Sequence, residues 1–142
     1  MMAAMATQDG LSAEVVALLG RITSRYLREY EAAAAQHALT PQQAKALLAL
    51  DEALPMRRVA ERLGAEPSNI TGIVDRLQTR GLVERHADPT DRRIKLIATT
   101  DAGKSVAAEL RGHLRFANDP LVALTEPQRR TLRDLLYLMT ES

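Results

Sequence analysis

Cysteine and tryptophan are both absent from the 142 residues, and phenylalanine occurs once. Without cysteine there is no disulfide framework, no thiolate zinc site and no thiol redox sensor, which is compatible with a reducing cytoplasm. Aromatic residues are 3% of the chain, namely Tyr26, Tyr30, Tyr137 and Phe116. The core is therefore expected to be aliphatic, and a stacking platform for single-stranded nucleic acid is not expected. The start, MMAAMATQDG, lacks the basic segment and long apolar run of a secretion signal. Residues 1–10 are expected to be a disordered tail, and the protein to be cytoplasmic with no membrane partner. There is also no Gly-rich phosphate loop and no recognisable Ser/His/Asp grouping. His37, His86 and His113 are too far apart in sequence to form a helical ligand pair. No catalytic residue, metal or cofactor is expected.

What is present is a globular composition, 46% hydrophobic and 26% charged, with a formal net charge of +1. That charge is unevenly placed. Residues 56–98 carry nine basic against six acidic side chains, whereas residues 1–55 are net acidic and the last 44 are balanced.

Apolar periodicity predicts a helix from Ser12 to about His37 (Val15, Leu18, Leu19, Ile22, Tyr26, Tyr30), with Val16 and Leu27 widening its stripe beyond one buried face. Thr40-Pro41-Gln42-Gln43 reads as a helix start with N-cap, proline and glutamine in their usual places, opening a second helix to about Asp51. Pro55 breaks the chain. A short helix with Val59, Ala60 and Leu63 ends at Gly64, and another runs from Pro67, with Ile70, Ile73, Val74 and Leu77 inward, to a stop at Gly81. Leu82–Ala87 and Arg93–Ala98, joined by Asp88 to Arg92 with the turn formers Asp88-Pro89-Thr90-Asp91, read as a hairpin. Two helices close the chain: Asp101 to Ala117 with Val106, Leu110 and Leu114 inward, and one from Thr125-Glu126-Pro127-Gln128 expected to bury Leu132, Leu135, Leu136 and Met139. The expected class is mainly α with one small β-hairpin, in the order α-α-α-α-β-β-α-α.

Two short helices joined by the tight Gly64-Ala65-Glu66 turn and followed by a hairpin make a winged helix-turn-helix. The second helix of such a pair enters a DNA major groove while the hairpin reaches the neighbouring backbone or minor groove. With its apolar stripe inward, that helix presents Ser68, Asn69, Thr71, Gly72, Asp75 and Arg76. Ser68 and Asn69 are read as base or phosphate contacts, against simple capping of the helix start. Gly72 costs about 1 kcal/mol of helix stability relative to alanine, and facing outward it would allow close approach to a groove. On the hairpin, Arg92 suits a narrow electronegative minor groove. Arg93 is expected to brace the hairpin through Glu66 or Asp75. Lys95, Arg85, Arg57, Arg58 and Arg76 are phosphate candidates.

Arg58 to Lys104, RVAERLGAEPSNITGIVDRLQTRGLVERHADPTDRRIKLIATTDAGK, resembles the winged-helix segment of the MarR family of bacterial transcription regulators. VDRL, RGLVER, DPTDRR and a threonine before DAG carry the likeness, and the flanking helices match in order and length. The resemblance implies a homodimer with a helical dimerisation lobe from residues 11–38 and 101–142 and a DNA-binding lobe from 39–100. It implies double-stranded DNA with a pseudo-palindromic operator as partner, Arg92 in the minor groove, and Arg93 among the DNA-binding set. It also implies release by a small phenolic or lipophilic anion, for which Arg21, Arg25, Tyr26, Tyr30 and His37 are the candidates, with Ala32 to Ala35 leaving room. Gly72 stands where many members are basic, and Thr99 where a leucine is usual. The alternative is a winged-helix protein-interaction or architectural module without ligand response.

Overall fold

A computed structural model describes residues 9–141. Most of the expected tail, residues 1–8, lies outside them. Helix α1 (Gly10–Ala35) starts earlier than its apolar stripe suggests, because the Asp9 carboxylate accepts from the Ser12 amide and caps it. Thr40 and Gln43 form the expected reciprocal cap of α2 (Pro41–Ala49). Pro55 ends a two-residue strand, β1 (Leu54–Pro55), and serves as N-cap of α3 (Met56–Leu63). Gly64 closes α3 in the left-handed region, φ 60°. α4 (Pro67–Thr79), β2 (Val83–Ala87) and β3 (Lys95–Thr99) follow, then α5 (Asp101–His113), the short α6 (Arg115–Asn118) and α7 (Glu126–Thr140).

The hairpin pairs Val83 with Thr99 and Ala87 with Lys95, and β1 adds to the far side of β3 with Leu54 opposite Ile97. The sheet therefore has three antiparallel strands in the order β1-β3-β2. Two residues are too few to show an alternating pattern, which is why the sequence suggests only the hairpin.

Leu47, Val59, Ile70, Val74, Leu77, Val83, Ile97, Leu110 and Leu114 are essentially inaccessible and form one aliphatic core. It lies between α2, α3, α4, α5 and the sheet. Ala33 and Ala34 are buried in it and serve close helix packing, whereas Ala32 and Ala35 are exposed.

Two expectations need correction. The helix expected from Asp101 to Ala117 breaks at Leu114, whose backbone (φ −107°, ψ 53°) leaves the helical region. Leu110 and Leu114 keep the apolar spacing across the break, so periodicity hides it. The Glu29 carboxylate accepts from the amides of Phe116 (3.1 Å) and Ala117 (2.8 Å), satisfying freed donors at the start of α6. Secondly, α7 buries none of its residues within the chain: Leu135, Leu136 and Met139 are exposed and Leu132 is half-buried. Val15, Leu18 and Ile22 of α1 are exposed in the same way. A pattern shows that a face is apolar, not what covers it.

The DAG motif has a packing reason. Thr100 donates its hydroxyl to Gly81 O (2.7 Å) and accepts from the Gly103 amide (3.0 Å), capping α5 while tying it to the end of the α4 turn. A Cβ on Gly103 would stand 2.0 Å from Leu82 O, a backbone atom. Gly103→Ala must push α5 off the sheet, and we expect a loss of about 2–4 kcal/mol in urea unfolding. Gly112, also in α5, has nothing within 4 Å of a built Cβ. Gly112→Ala should instead stabilise by about 0.5–1 kcal/mol. Equal effects at both glycines would remove the close approach as the cause.

Candidate nucleic-acid interface and ligand clefts

Helix α4 seats Ile70, Val74 and Leu77 in the core, with Ile73 half-buried, and this fixes its opposite face toward solvent. Ser68, Asn69, Thr71, Gly72, Asp75 and Arg76 are all exposed. The residue before the helix, Glu66, makes no side-chain cap, and neither Ser68 nor Asn69 caps in its place. Among the described residues their side chains have no hydrogen-bond partner. Local capping therefore does not account for them. Thr71 donates its hydroxyl to Pro67 O at 3.1 Å, so it has only acceptor capacity to spare. Space around Gly72 is open to 4 Å.

The wing is held by two acidic residues of its own turn. Asp88 accepts from the amide and hydroxyl of Thr90, and Asp91 accepts from the amide and guanidinium of Arg93. The Thr90 amide, and for Asp91 the Arg93 side chain, hold these carboxyls below the ordinary 3.8. The turn contacts persist while both are ionised and are lost as pH falls through those depressed values. Arg93 is braced as expected but by Asp91, not by Glu66 or Asp75. Asp75 is occupied by Arg85 of β2, at 2.6 Å, and the same guanidinium donates to Gln78. Arg85 thus ties wing to helix and is not a free phosphate contact. Arg92, exposed, has no ion pair or hydrogen bond among the described residues, and the same holds for Lys95, Arg57 and Arg76 side chains. Arg58 meets Glu61 at 3.4 Å, both well exposed.

Two arginines brace the lobe from behind. Arg80, at the end of α4, donates to Ala38 O (2.8 Å) and His37 O (2.7 Å) in the turn after α1. Arg62 donates to Ala49 O, Asp51 and Glu52, and its hydrogen bond with Asp51, aided by Glu52, raises its pKa.

The five candidate ligand residues do not form one site. Arg21 and Arg25 line a cleft of about 620 Å³ along α1, together with Leu18, Ile22, Arg28 and Phe116. Tyr26 and Tyr30 line another, about 450 Å³, with Lys45, Leu48 and Arg62. His37 belongs to neither; its Nε2 lies 3.2 Å from Glu109, without hydrogen-bond geometry. Lys45, unremarked in the sequence, holds its ammonium 5.2 Å from the Tyr26 ring and 5.1 Å from the Tyr30 ring. Nothing in its spacing marks it, because the two rings come from a different helix. Burial, with Tyr26 and Glu29 nearby, pushes the Tyr30 hydroxyl up to about 12. Among the described residues no group of three His, Cys, Asp or Glu could hold a metal ion, and no helix is long and apolar enough to cross a membrane.

A short helix pair, a three-stranded wing and a tied junction between them define a winged helix-turn-helix protein. A MarR family profile matches residues 37–94. In Bacillus subtilis (strain 168), the uncharacterized HTH-type transcriptional regulator YcgE is 31% identical over 106 residues, 73% of this chain and 69% of its own length. The similarly described YfiV is 30% identical over 104 residues, 70% of this chain. That match spans 64% of the length of YfiV, just under two thirds. Among solved structures, CouR from Rhodococcus jostii RHA1 bound to p-coumaroyl-CoA is 31% identical, with TM-score 0.74 over 90% of this chain and 92% of that one. A MarR-family transcriptional regulator from Rhodococcus sp. RHA1 is 30% identical, with TM-score 0.66 over 90% and 93%. This chain belongs to the MarR family of transcriptional regulators.

The Tyr30 shift carries a sign. A hydroxyl raised from 10.0 to about 12 contributes stability below pH 10 that is lost as pH climbs toward 12. Urea midpoints should fall across that window in the native protein and fall less in Tyr30→Phe. Parallel curves would show that the hydroxyl is not desolvated as the packing implies.

Proposed function

We propose that the chain is a sequence-specific double-stranded-DNA-binding regulator acting as a homodimer, a repressor released by a small aromatic or lipophilic anion. The observation that carries the DNA reading is the outward face of α4, where Ser68 and Asn69 are uncommitted beside an open Gly72. Next to it stands the wing with its unpaired Arg92. Short polar side chains at a helix start read base edges and phosphates, and a glycine lets the backbone approach the groove. Arg92 suits the minor groove. Arg76, Lys95, Arg57 and Arg58 supply sequence-independent phosphate attraction. Arg93 serves the interface by fixing the turn from which Arg92 projects.

The homodimer is supported by apolar surface that the single chain does not cover. Leu11, Val15, Val16, Leu18, Ile22 and Leu27 of α1 are between 42% and 69% exposed. Leu135, Leu136, Tyr137 and Leu138 of α7 are between 42% and 68% exposed. Together these exceed what a soluble monomer usually leaves in water, and helices at both ends of the chain match a lobe shared with a second copy. A ligand-responsive repressor is supported by family membership and by relatives whose names and structures include a repressor, MdtR, and a p-coumaroyl-CoA complex.

Site selection from random duplex DNA at physiological salt tests the reading. An inverted repeat with half-sites about one helical turn apart is expected. Salt-sensitive binding without a motif would favour an architectural module, and no binding a protein-interaction module. Arg92→Ala should leave thermal unfolding unchanged but weaken operator binding several-fold or more at fixed salt. Asn69→Ala should change the selected motif as well as the affinity; an unchanged motif would reduce Asn69 to a spacer. Leu136→Glu should shift sedimentation toward monomer, whereas an unaltered dimer would move the interface elsewhere.

A further inference from the structure

Which bases α4 can read follows from which of its donors and acceptors are already spent. At about 100° per residue, the inward stripe of Ile70, Val74 and Leu77 places Ser68, Gly72 and Asp75 along the middle of the outward face. Asn69 and Arg76 line one flank of that face and Thr71 the other. The middle is a shallow trough. Ser68 is short, Gly72 has nothing within 4 Å of a built Cβ, and the Asp75 carboxylate is held by Arg85 of the wing at 2.6 Å. Such a trough lets the backbone sink toward the base edges and brings the short flanking side chains within reach of them.

No lysine or arginine stands between Pro67 and Asp75. The paired donors that grip guanine O6 and N7 are therefore missing from the first two turns, the part of a recognition helix that meets base edges. Asn69 has its whole side-chain amide free among the described residues, an NH₂ donor beside a carbonyl acceptor. Among the four bases only adenine presents an acceptor and a donor side by side in the major groove, N7 and N6. Thr71 has spent its hydroxyl proton on Pro67 O, at 3.1 Å, so it accepts from a base amino group but does not donate to guanine or thymine. The ion pair with Arg85 draws Asp75, the natural acceptor for cytosine N4, toward the wing.

We propose that α4 reads each half-site through an uncharged pair of hydrogen bonds between the Asn69 side-chain amide and an adenine, made possible by the empty position at Gly72. Arg76, about 10 Å further along the helix axis than Asn69, serves phosphate. The inference rests on the DNA-binding reading above and names the base that the same surface selects.

Site selection from random duplex DNA, run side by side with the native protein and Asn69→Ala, gives the first comparison. Each native half-site should hold one A·T pair that becomes degenerate in the Asn69→Ala motif. On the selected duplex, replacing that adenine by 7-deazaadenine removes N7 and leaves base pairing intact. Native binding should then weaken about ten-fold, and Asn69→Ala binding should not change. The slope of log affinity against log salt should be the same for the native protein and Asn69→Ala, whereas Arg76→Ala should reduce its magnitude by about one unit. Gly72→Ala should raise the urea midpoint yet weaken operator binding about five-fold or more, opposite signs that a loss of folding cannot produce. A G·C pair at the Asn69-dependent position, indifference to 7-deazaadenine, or a shallower salt slope in Asn69→Ala would overturn the inference while leaving a sequence-specific regulator. Unchanged operator binding in Gly72→Ala would overturn the part given to the trough. A native protein that selects no motif would defeat the DNA-binding reading itself, and the inference with it.

Discussion

The structure turns on the few atoms where α5 leaves the sheet. Gly81 carries the chain out of α4 in the left-handed region, φ 74°, and its carbonyl receives the Thr100 hydroxyl. The Thr100 amide donates to Leu82 O, and the bare Cα of Gly103 lies against that same carbonyl. Three elements are thereby fixed at one point: the end of the groove-facing helix, the closing strand of the wing, and the start of the helix leading to the C-terminal segment. Neither glycine can be replaced cheaply, for opposite reasons: one needs a backbone conformation disfavoured by a Cβ, the other needs the volume a Cβ would fill.

From that junction the roles of the charged residues separate. Arg85 and Arg93 are spent internally, one joining the wing to α4 and one closing the wing turn. Arg80 and Arg62 hold the back of the lobe. Arg92, Arg76, Lys95 and Arg57 remain without partners among the described residues. Net charge alone could not draw this division, because committed and uncommitted arginines count equally in it. Geometry separates them: an exposed arginine already paired has less reason to seek phosphate than one that is not.

Much of the fold was legible in the sequence because local chemistry signs its own position. The Thr40 and Thr125 caps, Gly64, Pro67 and the Asp88–Asp91 turn each state a boundary in their own residues. Legibility failed where the determining contact was distant. The break at Leu114 depends on Glu29, far earlier in the chain, and β1 exists only because β3 lies beside it. The apolar stripes of α1 and α7 were legible as apolar, α1 as wider than one buried face needs, but periodicity alone did not say that the single chain leaves them uncovered. For the candidate site, the outward face of α4 followed from its inward stripe. The ligand set did not, since Arg25 and Tyr26 are adjacent in sequence yet point into different clefts.

How a ligand on α1 would reach the groove-facing helix is a question of mechanical continuity. One rigid helix carries both the arginine cleft and, at its far end, the turn whose His37 and Ala38 carbonyls hold Arg80 of α4. Ala38 has φ 53°, a left-handed conformation unusual for alanine, so this turn has few ways to adjust. A stiff helix linked to α4 through one constrained turn transmits a change in orientation more readily than it absorbs one. In the proposed dimer, the N-terminal part of α1 belongs to the shared lobe, so its angle relative to the second copy sets the spacing of the two α4 helices. A ligand shifts that spacing only through a difference in affinity between the two dimer geometries. The cleft meets this condition if its walls move with dimer geometry. Its position favours that, because Leu18 and Ile22 are wall residues of the cleft and members of the exposed apolar face at once.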